Sequence, residues 1–176
     1  MKKLALAAAA LSLLGAPALH AQTASADVNA SARVEASLTA ATTHQLKFGT
    51  LAMGSNSTLA ASGTAQSALS GLTTAGLGQV QVQHNSNVGV TATVPTSLTN
   101  SVTGTSLGFS ASCATATTSG GTGTAVANCA SFSFNAGTPG AVQSTYVLVG
   151  GTVTGSSAAG VGDFTGTIQF TFTATN

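Results

Sequence analysis

Residues 163–176 read DFTGTIQFTFTATN. The large apolar side chains are Phe164, Ile168, Phe170 and Phe172, all at even positions, while Thr165, Thr167, Gln169, Thr171 and Thr173 fill the odd ones. A strand turns successive side chains to opposite faces, so a period of two sets the aromatic row on a buried face and the hydroxyl row in solvent. Thr favours a pleated surface, so the run needs no charge to form a strand. It carries neither charge nor proline after Asp163, and those are the usual guards of an exposed sheet edge. The stretch is therefore either a core strand with a solvated outer face or an edge that a neighbouring strand covers.

The same period recurs along the chain. Val28, Ala30, Ala32, Val34, Ala36 and Leu38 alternate with Asn29, Ser31, Arg33, Glu35 and Ser37, which predicts a half-buried strand over 28–38. Further strands are expected at QLKFGTLAM (Leu46, Phe48), QVQVQ (Val80, Val82), VGVTATV (88–94), Leu107 to Ala111 ahead of Cys113, SFSFN (Phe132, Phe134) and TYVLVGGTV. Pro95 ends the VGVTATV run, because proline has no amide to give a neighbouring strand. SNSTLAASGTAQS and TTSGGTGTAVAN read as loops, the second as a flexible hairpin loop held at its base by a Cys113–Cys129 disulfide. Short strands between turn signals, with no helical periodicity after the leader, predict an all-β fold. The expected architecture is an antiparallel immunoglobulin-like or pilin-like β-sandwich of seven to nine strands.

Lys2 and Lys3 followed by the apolar stretch Leu4 to Leu14, small residues and Pro17 read as a signal peptide, with cleavage expected after Ala21 and the Ala-x-Ala pattern also allowing cuts after Ala18 or Ala26. Residues 1–21 are then the leader and 22–176 one domain, exported to the periplasm, outer surface or medium with no remaining membrane span. Two of the four basic residues leave with the leader, so Arg33 and Lys47 stand against Asp27, Glu35 and Asp163, a net charge of 2 − 3 = −1. So few cations cannot neutralise a row of phosphates or hold an anionic membrane surface, which argues against nucleic-acid binding.

Cys113 and Cys129 are the only cysteines. In an exported chain, an even count without a Cys-x-x-Cys or other metal-like spacing predicts a disulfide. Closing that loop stabilises by about 3 kcal/mol in the chain-entropy model.

A catalytic constellation is not legible. A serine nucleophile needs a base, and His44 and His84 stand in polar surroundings that predict exposed, non-catalytic roles. Asp27 and Glu35 lie on the same face of the expected first strand, about 26 Å apart at roughly 3.3 Å per residue, far beyond glycosidase geometry. TTSGGTGT lacks the lysine and helix of a phosphate-binding loop. With no Trp and Tyr146 as the one Tyr, no aromatic platform for a sugar is expected. No enzyme activity, cofactor or metal is expected.

LKFGTLAMG, residues 46–54, is similar to the Leu-x-Phe-Gly start of secreted bacterial β domains of the spore-coat-U-like and pilin-like kind. VGGTVTGSSAAGVGDFTGTIQFTFTAT, residues 149–175, resembles the ending of the family called domain of unknown function 4402, where a Gly-Gly-Thr strand precedes a small-residue turn and an aromatic-Thr-Gly-Thr closing strand. The resemblance implies an exported pilin-like β-sandwich and carries over no catalytic or ligand residue. The expected function is a structural protein of the envelope or surface acting by protein–protein assembly. Val28, Val34, Leu38, Phe164, Ile168, Phe170 and Phe172 are the candidate assembly-strand residues. The alternative is a monomeric secreted module that recognises a glycan or surface partner through its Ser/Thr/Gly-rich loops.

Overall fold

The computed structural model describes residues 35–62, 75–138 and 141–175. In chain order the strands are β1 (Leu38–His44), β2 (Ser57–Leu59), β3 (Gly78–His84), β4 (Asn87–Thr93), β5 (Ser97–Asn100), β6 (Ser106–Ala116), β7 (Thr124–Ala125), β8 (Ser131–Phe134), β9 (Gln143–Thr154), β10 (Phe164–Thr165) and β11 (Gln169–Thr175). β2, β7 and β10 have three residues or fewer, so the strands long enough to carry a period number eight, within the expected range.

Every ladder is antiparallel. The larger sheet runs β1-β3-β9-β6-β5-β10, with β2 also against β9 and β7 against β6; the smaller runs β11-β4-β8. The two form the predicted all-β sandwich.

Each sheet takes its inward row from the alternation in its strands. Val82, Cys113, Val147 and Val149 of the larger sheet form the central core, against which Phe132, Phe134, Ile168, Phe170 and Phe172 pack from the other side. Leu148 lies between two inward valines and so points to the opposite face, yet it is fully buried with Leu77, Ala114 and Ala116. A strand covered on both faces reads as a continuous apolar run, which explains YVLV at the centre of β9.

The cover over that second face is hydrogen-bonded in place. Gln79 is fully buried; its Nε2 donates to Thr43 Oγ1 (2.8 Å) and Ser119 Oγ (3.2 Å), and its Oε1 accepts from the Gly120 amide (3.1 Å). The TTSGGTGT loop is thus tied down by a core glutamine, because a buried amide must find partners. The expected hairpin loop, held at its base by the disulfide, is also fastened at its tip.

Gly150 and Gly151 explain the double glycine of β9. A Cβ on Gly150 would collide with the Leu59 carbonyl oxygen, and Gly151 has φ 155°, a region that favours glycine. Here the edge of β9 passes from β3 to β2, which pairs through Leu59↔Gly151.

Cys113 sits on the inward face of β6 and Cys129 just ahead of β8, so their disulfide bridges the two sheets, with Cα atoms 5.1 Å apart.

Four expectations change. Residues 28–34 lie outside the described residues; Glu35 to Ser37 are not strand, and β1 begins at Leu38, where the expected strand ends. The chain before β1 is held by Asn85, whose Oδ1 accepts from the Ser37 amide (2.7 Å). QLKFG makes one bridge, Lys47 with Gly76, and Leu46 turns into the core instead of continuing a ladder. Short strands β2 and β7 occur within segments expected to be loops, since each needs only a few backbone bonds to a long neighbour. The closing run divides: β10 pairs with β5 of the larger sheet and β11 with β4 of the smaller. Gly166 lies against Leu98 and Pro95 at the crossing, where a Cβ would meet Leu98 Cδ2 at 2.8 Å.

Replacing both cysteines by serine is expected to lower unfolding free energy by about 3 kcal/mol, read from urea denaturation, because the tether between the sheets is lost.

Candidate functional site

Small-sheet strand β11 lies at the sheet's border and pairs with β4 alone among the described residues, in register from Gln169↔Thr93 to Thr175↔Asn87. Its alternation holds throughout. Phe170, Phe172 and Ala174 are half-buried on the inward side, and Gln169, Thr171, Thr173 and Thr175 are exposed on the outward side. Neighbouring outward positions continue the same chemistry: Thr91, Thr93, Ser131 and Ser133 give a face of hydroxyls with no charge.

Beside β11 an open cleft of about 1250 Å³ enters the sandwich. Val80, Phe109 and Val149 of the larger sheet line one side, and Ile168, Phe170 and Phe172 line the other. β1 contributes Ala40, Thr42 and His44. Leu38 packs against the core, and even positions along β1 share its face, so Ala40 and Thr42 are inward by register yet exposed to solvent. Among the described residues, no strand of the smaller sheet covers the inner surface of the larger one at these positions. Met53 and Val161, 60% and 81% exposed, stand on the cleft lining and extend the apolar surface outward.

Of the expected assembly-strand residues, Leu38, Ile168, Phe170 and Phe172 meet at the core, the last three also at the cleft. Phe164 lines the cleft from β10, in the other sheet. Val28 and Val34 lie outside the described residues.

Both histidines differ from the exposed roles expected of them. His84 is fully buried: its Nδ1 meets the Ser86 carbonyl at 2.7 Å and its Nε2 meets Thr145 Oγ1 at 2.9 Å, and the ring stands edge-on to Phe134 at 5.0 Å between centroids. Because a carbonyl only accepts, Nδ1 carries the proton. His84 follows the even-numbered inward row of Val80 and Val82, and the polar letters around it belong to the opposite face. His44 is half-buried in the cleft lining, and its Nδ1 is shielded with no hydrogen-bond partner among the described residues.

The chemical inventory of the site is short. Lys47 and Asp163 line the cleft, whereas Glu35 lies at the Asn85 corner. No group of three or more His, Cys, Asp or Glu gathers among the described residues in a way that could hold a metal ion. Among those residues, too, no helix is long and apolar enough to cross a membrane. What the arrangement offers is a row of backbone amides and carbonyls with no ladder partner among the described residues, beside an apolar recess, which suits recognition of extended peptide.

Compared with protein-family models, curated proteins and solved structures, the chain matches none.

The cleft is absent from the sequence reading because it arises where two sheets of unequal size fail to cover each other. One signal for it lies in β1: LTAATTH puts Ala and Thr at inward positions where a covered strand carries larger apolar residues. Ala40→Trp, filling this mouth, is expected to lower the fluorescence of a bound apolar dye several-fold and to leave the urea midpoint unchanged or slightly raised.

Proposed function

We propose that the protein is a non-enzymatic structural component of the cell envelope or surface, and that it works by pairing strands with a neighbouring protein subunit. The observation that carries this reading is the edge of β11: seven residues without charge or proline, flanking an apolar cleft. Soluble β proteins guard such edges with lysine, proline, bulges or a covering segment, because an unguarded edge templates pairing with another chain. An incoming strand gives main-chain hydrogen bonds to the edge and places alternate side chains against the sheet faces.

Export belongs to the same reading. The basic and apolar leader supports it, and the inter-sheet disulfide suits an oxidising compartment. The resemblance of 46–54 and 149–175 to the secreted pilin-like and domain of unknown function 4402 proteins points the same way.

A second reading is favoured by the hydroxyl and amide face of the smaller sheet. An uncharged surface of Thr, Ser and Gln suits a neutral glycan, and the protein would then act as a monomeric binding module.

Light scattering coupled to size exclusion, with negative-stain microscopy of the same fractions, separates the two. The assembly reading expects mass to rise with concentration and ordered oligomers or fibres to form. A monomer at every concentration, with or without other envelope proteins, overturns it and leaves the glycan reading.

A further inference from the structure

We infer that the partner for the β11 edge is β11 of a second copy, paired antiparallel about a twofold axis centred on Phe172. This rests on the assembly reading and deepens it by naming the partner strand and its register.

The sequence of β11 is complementary to itself in that arrangement. With 169–175 fully overlapped, residue i faces residue 344 − i, so Phe172 meets Phe172 of the partner subunit and Phe170 meets Ala174 of the partner subunit. Thr171 meets Thr173 of the partner subunit, and Gln169 meets Thr175 of the partner subunit. Every inward position then faces an apolar residue and every outward position a hydroxyl or amide. A one-residue slip would set each phenylalanine opposite a threonine and reverse the faces, which excludes odd registers; among the even ones, the axis at Phe172 is the register that pairs all seven strand residues.

Nothing on the strand opposes the approach. Two copies of most surface segments bring like charges together, whereas β11 and the outward positions of β4 beside it carry none. A twofold interface uses the same patch on both subunits, as this pairing does. The result is one continuous sheet in the order β8-β4-β11, then β11, β4 and β8 of the second copy. The other border strands fit less well: β8 has four residues and β10 two, and β1 carries Leu38, Ala40 and Thr42 on its inward row and is irregular between Thr42 and His44.

Two double variants test the pairing, because Thr171 and Thr173 are exposed and lie opposite Thr91 and Gly89 on β4, where charge is tolerated within the chain. Thr171→Lys/Thr173→Lys sets two lysine pairs across the twofold axis and is expected to weaken dimerisation at least about tenfold by sedimentation equilibrium. Thr171→Lys/Thr173→Glu sets two opposite-charge pairs and is expected to restore or exceed the wild-type affinity. Circular dichroism and urea midpoints check that both variants fold. Wild-type protein mixed from labelled and unlabelled copies needs no substitution: isotope-filtered NMR is expected to show contacts between Thr171 and Thr173 of the partner subunit.

Failure is readable at two levels. If the Lys/Glu variant stays as dissociated as the Lys/Lys variant, or if Lys/Lys associates like wild type, the inference is overturned while assembly through another surface or register stands. A wild type that dimerises only after residues 22–34 are removed assigns the edge to that leading segment and also overturns the inference. A monomer at every concentration overturns both this pairing and the assembly reading.

Discussion

Two sheets of unequal size share one apolar interface, and most of the molecule's properties follow from the mismatch. The larger sheet presents Val80, Val82, Val147 and Val149 to a partner only three strands wide. Where the smaller sheet reaches, the valines are sealed by phenylalanines from β8 and β11. Where it does not, the surface opens into the cleft. A three-stranded sheet has two borders, and one of them is the long, uncharged β11. The cleft and the unguarded edge are thus two results of a single geometry.

The way the sheets are held reflects a chain poor in charge. Cohesion falls to apolar burial, to the Cys113–Cys129 bridge between the sheets, and to buried polar side chains held by hydrogen bonds. Gln79 and His84 belong to that last class, one tying down the outer loop and the other standing between β9 and the turn after β3. Each is fully desolvated, so loss of a partner would expose the cost of an unsatisfied polar group. A core fastened in this way does not need surface ion pairs, which frees the outward faces to be nearly neutral. Neutrality in turn makes strand-to-strand approach inexpensive.

Much of the fold was legible because β-strands announce themselves by a period of two. QVQVQ, VGVTATV, SFSFN and TYVLVGGTV all became strands, and the disulfide followed from cysteine count and spacing. What was hidden depends on which sheet a segment joins. The final stretch reads as one strand, yet Gly166 carries it from one sheet to the other, and nothing in the period marks the crossing. His84 looked exposed because its neighbours Gln83 and Asn85 are polar, although alternation sets those neighbours on the other face. Ala40 and Thr42 hold the clearest trace of the cleft, as small residues on an inward row. The unguarded character of β11 was readable from its missing charge, whereas its place at a sheet border required the pairing with β4.

The central claim is that the outer side of β11 is unpaired within one molecule and is completed by another. Residue-resolved amide hydrogen exchange measured along β11 at low and high protein concentration tests it most directly. In an antiparallel border strand alternate residues direct their amides toward the neighbour and away from it. The account predicts that in dilute solution only the amides directed at β4 are protected, and that the alternate amides gain protection as concentration rises. Uniform protection along β11 at the lowest concentration would mean that the edge is already covered within the single chain, and would contradict the account.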